Sequence, residues 1–100
     1  MSTRALIKVE GLNIALYKHY DGYPDGILPW LEDFYKTFFS KRKDDSSYCL
    51  AQLIRSTTNP RYKLVPSDIT GYGIVMATDD CGQEYEYTLT AKGTIEVKEL

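Results

Sequence analysis

Residues 14–39 read IALYKHYDGYPDGILPWLEDFYKTFF, and within them the chain changes from a strand pattern to a helix pattern. Alternating apolar residues, which begin at Leu12, predict a strand with one buried face. Asp21-Gly22 and Pro24-Asp25-Gly26 are turn signals that end this strand. Five apolar residues then follow the helical spacing i, i+4, i+7, i+8, i+11 and are expected on one face of a helix: Ile27, Leu31, Phe34, Tyr35 and Phe38.

The helix predicted after these turns carries an unusual amount of aromatic surface. Trp30 and Phe39 widen its apolar stripe, and a buried ring contributes roughly 150–250 Å² at about 25 cal/mol per Å². Pro29 is expected in the first turn of this helix, where the backbone N–H that proline lacks would have had no partner within the helix. Asp25 is a candidate for its N-cap.

The flanking segments complete the fold prediction. Residues 4–9 alternate before a reversal at Glu10-Gly11, so the first two strands form a hairpin. A second helix is expected from about Ser47 to Thr57, ended by Asn59-Pro60 and followed by a linking loop over 61–67. From Ile69 onward the pattern predicts a three-stranded meander. The order ββ-αα-βββ predicts one α+β domain over residues 1–100, with an antiparallel sheet of about five strands and two helices packed on one face.

Composition and charge favour a cytoplasmic protein that binds neither membranes nor nucleic acids in general. The chain of 100 residues has a net charge of −2, and no apolar run approaches the roughly 18 residues that a membrane span needs. Its N-terminus has no signal-peptide pattern. Residues 44–100 hold nine acidic and five basic residues, and such an excess of negative charge repels phosphate backbones.

The two cysteines and the single histidine do not form a metal-binding pattern. Cys49 and Cys81 belong to no CxxC pair, and one histidine cannot complete the usual zinc ligand sets. Free thiols in a reducing compartment and a Cys49–Cys81 disulfide are the two alternatives. We expect no metal and no cofactor.

The turn segment is the first candidate for a ligand site, because ionisable and turn-forming residues coincide there. His19 and Asp21 are two positions apart at a strand end, where a carboxylate can orient an imidazole. Tyr23 and Trp30 are the expected aromatic lining of a pocket at this loop. No activated serine or second histidine completes a catalytic set, so the pattern favours binding or a structural brace over catalysis.

A second candidate site is a surface for a protein partner. The chain has nine tyrosines, and exposed tyrosines are frequent at protein interfaces. The residues expected to contact a partner are two tyrosines and an acidic strip on the C-terminal strands: Tyr17, Tyr72, Glu84, Glu86 and Glu96.

One segment resembles a group of known sequences. His19-x-Asp21-Gly22-Tyr23-Pro24, within residues 16–31, resembles a motif of small uncharacterised proteins of phages and archaea. No activity is attached to that motif, so the resemblance assigns no functional residue. It implies a phage or mobile-element protein that acts in the cytoplasm of a host cell.

Three classes of function follow from these observations, and one of them is a passive structural component of a virion or complex. The first is a non-enzymatic interaction module that binds a host protein, for example an inhibitor of the anti-CRISPR type, or that associates with itself through the sheet. The alternative is a small-ligand or nucleotide-binding protein, or a weak hydrolase, with its pocket at His19, Asp21 and Tyr23 and a contribution from Arg55 or Arg61.

Overall fold

A computed structural model of the protein describes residues 3–43, 45–57 and 71–100. It confirms the α+β class and the order ββ-αα-βββ. The predicted helix stop at Asn59-Pro60 and the loop over 61–67, which contains Arg61, lie outside the described residues. The elements are β1 (Ala5–Val9), β2 (Ile14–Lys18), α1 (Pro24–Lys41), α2 (Ser46–Ser56), β3 (Tyr72–Met76), β4 (Tyr85–Leu89) and β5 (Ile95–Glu99).

The five strands form one mixed sheet in the order β3-β2-β1-β4-β5. The β1–β2 and β4–β5 pairs are antiparallel, as predicted, and β2 and β3 form a further antiparallel pair. β1 and β4 are parallel, with Ala5 opposite Tyr85 and Val9 opposite Leu89. The prediction of an antiparallel sheet is therefore wrong at the β1–β4 pair. The predicted C-terminal meander is wrong as well, because β3 joins β2 at one edge while β4 joins β1.

The connection between β3 and β4 crosses the sheet. β3 ends beside Ile14, whereas β4 begins at the opposite end of the sheet, beside Ala5. Residues 77–84 must therefore travel the length of the sheet and pass two strands. The Arg4 guanidinium donates a hydrogen bond of 3.1 Å to the Cys81 carbonyl oxygen on the way. The segment that was predicted as a hairpin turn is instead a crossover.

β1 lies at the centre of the sheet, and this explains its almost continuous apolar sequence. Ala5, Ile7 and Val9 belong to the core cluster that includes the helix side chains. Leu6 points to the opposite face and is nevertheless fully buried, as is Ala15 of β2. We attribute this burial to the crossover, which runs over the face opposite the helices. A strand covered on both sides loses the apolar–polar alternation of a one-sided strand.

The start of α1 differs from the prediction. The helix begins at Pro24, its N-cap is Tyr23 without a side-chain hydrogen bond, and Asp25 lies in its first turn rather than at the cap. Pro29 therefore lies inside the helix, beyond the first turn. Its ring nitrogen has no hydrogen to donate to the carbonyl oxygen four residues earlier. α2 starts within one residue of the predicted position and is capped by Asp45, which accepts a hydrogen bond from the Tyr48 N–H.

Both helices contribute fully buried side chains to one core. Ile27 and Leu31 of α1 and Leu53 of α2 have no exposed surface, and the same holds for Tyr87 of β4. Neither described helix is long and apolar enough to cross a bilayer.

Candidate functional site

The tyrosine-rich turn places His19 and Asp21 at the surface without bringing them together. Both side chains are exposed. The Nδ1 atom of His19 lies 2.7 Å from the Tyr17 hydroxyl, and the two rings are 5.9 Å apart. Among the described residues, the hydrogen-bond partner of the His19 imidazole is thus Tyr17 and not Asp21. Asp21 itself adopts a left-handed backbone conformation with φ of 56°, which aspartate tolerates in turns.

The turn is held to the sheet by its backbone. The Gly22 N–H donates to the Thr3 carbonyl oxygen at 2.8 Å. The Gly22 carbonyl oxygen accepts a hydrogen bond of 2.6 Å from the buried Tyr87 hydroxyl. These contacts make the turn a braced connection between β2 and α1.

The four residues expected to form a pocket at this loop do not line one pocket in the structure. Tyr23 is 43 % exposed at the start of α1. Trp30 lies farther along the helix, where its indole N–H donates to the Ser56 hydroxyl at 3.2 Å and its ring meets the edge of Tyr72. Trp30 lines a groove between α1 and α2, whereas His19, Asp21 and Tyr23 do not.

The residues predicted to contact a partner are divided between the two faces of the sheet. Tyr17 is opposite Leu6, and Leu6 is opposite Glu86, so these side chains share the face that lies away from the helices. Tyr72 is opposite Lys18 on the helix side, and the Lys18 ammonium lies 4.3 Å from the centre of its ring. Tyr17 and Tyr72 therefore do not form one surface.

The predicted acidic strip is partly neutralised. The Lys8 ammonium pairs with a Glu86 carboxylate oxygen at 2.9 Å, and the Gln83 amide donates to the other oxygen at 3.0 Å. Burial tends to raise the pKa of Glu86, but these hydrogen bonds and the charges of Lys8 and Lys98 bring it below its ordinary value. Glu84 and Glu96 are exposed. The face therefore carries mixed charge.

One concave surface among the described residues is the interhelical groove, a cleft of about 790 Å³ between α1 and α2. Its size falls within the roughly 300–1,000 Å³ typical of ligand sites. Its aromatic wall combines three side chains of α1 with one of α2: Trp30, Phe34, Phe38 and Tyr48.

The aromatic wall is ordered by ring-to-ring contacts. Phe34 and Phe38 stack with centroids 6.0 Å apart and planes 16° apart. Phe38 also stacks on Tyr48 at 6.3 Å, which joins the two helices. Tyr48 is 44 % exposed, and the rings of Trp30, Phe34 and Phe38 are half-buried. The wall is thus fixed in position and still offers apolar surface.

Basic side chains surround this wall. The lining includes Lys41, Arg42 and Arg55 against a single acidic residue, Asp33. The Arg42 guanidinium lies 4.2 Å from the centre of the Tyr48 ring. It also pairs with Asp45 at 3.3 Å, which holds it in place over the ring. The groove therefore presents a cationic rim beside an aromatic surface, on a chain whose net charge is −2.

Sequence reasoning named Trp30 but missed Phe34, Phe38, Tyr48 and Arg42 as site residues. Trp30, Phe34 and Phe38 recur every four residues, beside the fully buried row that contains Ile27 and Leu31. Because a helix commonly buries both rows of such a stripe, the spacing marks this second row as apolar but does not indicate that it stays half-exposed.

The two cysteines are free thiols. Cys49 is buried in α2, where burial first and the charge of Asp45 second raise its pKa to about 11. Cys81 lies half-buried in the crossover. In the described part of the chain, no group of three or more His, Cys, Asp or Glu side chains is placed to hold a metal ion.

Comparison of the chain with protein-family models, with curated proteins and with solved structures found no match.

Proposed function

We propose that this chain is a non-enzymatic protein-interaction module whose binding site is the interhelical groove. Its ligand is a segment of a partner protein that carries an aromatic or large apolar anchor next to acidic residues. The observation that supports this most directly is the stack of Phe34, Phe38 and Tyr48, which is half-exposed along a groove of about 790 Å³.

The aromatic wall provides the apolar part of the recognition. Trp, Tyr and Arg dominate the binding energy of protein interfaces, especially at the centre of a well-packed patch. Trp30, Tyr48 and Arg42 combine these three residue types in one groove. Tyr48 already stacks on Phe38 and lies below the Arg42 guanidinium, and the Trp30 indole N–H already donates to the Ser56 hydroxyl. Little side-chain freedom is therefore lost when a partner binds.

The basic rim favours an acidic partner. A positive groove on a negatively charged chain attracts acidic segments to this place and repels them elsewhere. Arg42 is exposed and already paired with Asp45, so its main contribution is expected in the rate and the salt dependence of association. A host protein that presents such an acidic segment is one partner of this kind.

The proposal is tested with an unbiased library of displayed peptides selected on the full chain. We expect the selected peptides to combine aromatic anchors with acidic residues. Tyr48→Ala should weaken their binding at least about tenfold, as expected for a central aromatic contact. Tyr23→Ala is the matched control, because Tyr23 is 43 % exposed and Tyr48 is 44 % exposed, but only Tyr48 lines the groove.

The outcomes separate the alternatives. Selected peptides that bind wild-type protein and Tyr48→Ala equally well would contradict the proposal, as would a selection that enriches no peptide. A thermal shift with nucleotides that His19→Ala abolishes would favour the small-ligand function instead, since a ligand at 100 times its Kd adds about 2.7 kcal/mol.

A further inference from the structure

Strand β5 is an open edge of the sheet. It pairs with β4 and with no other described strand. The Thr94 carbonyl oxygen and the Leu100 N–H both face β4. Because backbone groups alternate in direction along a strand, those of Ile95, Val97 and Glu99 point away from β4. Residues 96–100 are all exposed, and Val97 is 44 % exposed.

The other edge of the sheet is partly closed. At the end of β3, the Met76 N–H donates to an Asp79 carboxylate oxygen and the Met76 carbonyl oxygen accepts from the Asp79 N–H, both at 3.0 Å. An acidic side chain of this kind blocks the approach of another strand. β5 has no comparable cap among the described residues, and its open edge is the one suited to pairing.

The sequence of β5 is complementary to itself. When two copies pair antiparallel about Val97, Glu96 of each copy is opposite Lys98 of the other. Opposite charges at directly facing positions stabilise a strand pair, and like charges destabilise it. Sliding one copy by two residues places either two Glu96 or two Lys98 side chains opposite each other. Charge therefore selects the register centred on Val97.

The same register brings a second charge pair together on the helix side. A groove of about 790 Å³ runs between α1 and β5, and its lining includes Phe39, Lys43 and Ile95. The Lys43 ammonium lies 5.7 Å from the centre of the Phe39 ring. Pairing about Val97 sets Glu99 of the second copy opposite Ile95, which lines this groove together with Lys43.

We infer that the chain forms a two-fold symmetric dimer in which the β5 strands of two copies pair antiparallel about Val97 and the two sheets become one. This goes beyond the proposed function, because the interhelical groove lies on a different surface of α1. A contact made by one five-residue strand and its neighbours is small. We therefore expect association in the micromolar range, typical of interfaces below about 1,200 Å².

The test uses charge reversal on the full chain. Lys98→Glu and Glu96→Lys should each be monomeric, since each places like charges opposite each other. An equal mixture of the two variants should associate again, because positions 96 and 98 are then both acidic in one chain and both basic in the other. Lys92→Glu is the matched control: it makes the same charge change as Lys98→Glu in the loop before β5, and it should dimerise like wild type.

Sedimentation velocity from about 5 to about 500 µM gives the readout, a range that covers weak interfaces. Concentration-dependent dimers of wild type, their loss in each single reversal and their recovery in the mixture would establish the inference. Wild-type protein that stays monomeric throughout would overturn it. Dimers that are equally stable in Lys98→Glu, or a mixture that does not associate, would overturn the β5 pairing. Far-ultraviolet circular dichroism shows that each variant is folded.

Discussion

The hydroxyl of Tyr87 lies 2.6 Å from the carbonyl oxygen of Gly22, a residue 65 positions earlier in the chain. Tyr87 is fully buried in β4, so this bond ties the turn before α1 to the centre of the sheet. Burial raises the pKa of the Tyr87 hydroxyl to about 12, with a smaller contribution from Tyr85. The hydroxyl therefore remains a hydrogen-bond donor at neutral pH.

Removing that hydroxyl should destabilise the protein without changing its fold. Tyr87→Phe leaves the Gly22 carbonyl oxygen without its donor in a buried position, and an unsatisfied buried polar group costs about 1–3 kcal/mol. Urea unfolding at pH 7 measures the loss. Tyr85→Phe, in the same strand, is the control and should change the free energy of unfolding by less than about 0.5 kcal/mol. Equal stability of Tyr87→Phe and wild type would contradict the role assigned to the bond.

Gly22 should be harder to replace than Gly73, the glycine within β3. A Cβ atom at position 22 would lie 2.7 Å from the Ala5 Cβ and 2.8 Å from the Thr3 carbonyl oxygen. Because overpacking of this kind costs typically about 1–3 kcal/mol, Gly22→Ala should lower the free energy of unfolding by that amount. Gly73→Ala is the comparison, since its nearest neighbour would be at 3.7 Å. Urea unfolding of both variants measures the difference. Equal stability of Gly22→Ala and Gly73→Ala would show that the structure around Gly22 has room for a Cβ atom.

The two thiols should differ strongly in reactivity. Cys49 is 2 % exposed, and its pKa is raised to about 11, so little of it is thiolate at pH 8. We expect iodoacetamide to modify Cys81 of the native protein at least about tenfold faster than Cys49. Peptide mass spectrometry locates the adduct. In urea both cysteines should react at similar rates, and native modification of both at one rate would contradict the burial of Cys49.

The Lys8–Glu86 pair should stabilise the protein only above acidic pH. The pKa of Glu86 is lowered in the folded protein, so its contribution is fully present above the ordinary value of 4.5 and is lost as pH falls below it. Lys8→Met keeps the apolar part of the side chain and should cost about 0.5–1 kcal/mol at pH 7. Near pH 3 the deficit should be smaller, because the contribution is lost as the pH falls through the lowered pKa of Glu86. Urea unfolding of Lys8→Met at pH 7 and near pH 3 measures this loss of stability, with Lys92→Met as the control. A loss that is the same at both pH values would mean that Lys8 stabilises the protein by packing and not by its charge.

The helices and strands were predictable because the spacing of apolar residues along a segment indicates its secondary structure and its buried face. The stripe through Ile27, Leu31 and Tyr35 indicated α1, and all three residues are buried. The helix starts earlier than predicted, with Pro24 at its first position, where proline is favoured. The hydrogen bond from Tyr87 to Gly22 in the turn before it joins distant parts of the chain, so no local pattern indicates it.

The candidate site was less predictable. The sequence drew attention to His19 and Asp21 because they are chemically distinctive, yet both are exposed, and neither lines the groove between the helices. Phe38 and Tyr48 carry no such signature. They become a surface only because α1 and α2 pack side by side and leave their rings in contact at 6.3 Å.

The amino-acid sequence by itself determined the seven segments and their types, since these depend on spacing within a few residues. The tertiary structure alone decided that β4 inserts beside β1 in parallel, that Leu6 is fully buried on the face away from the helices, and that β3 and β5 become the two edges. The physical reason is that an alternating strand pattern fixes which side chains point inward but not which strand supplies the backbone partner. That choice is made by the packing of the whole sheet against the helices.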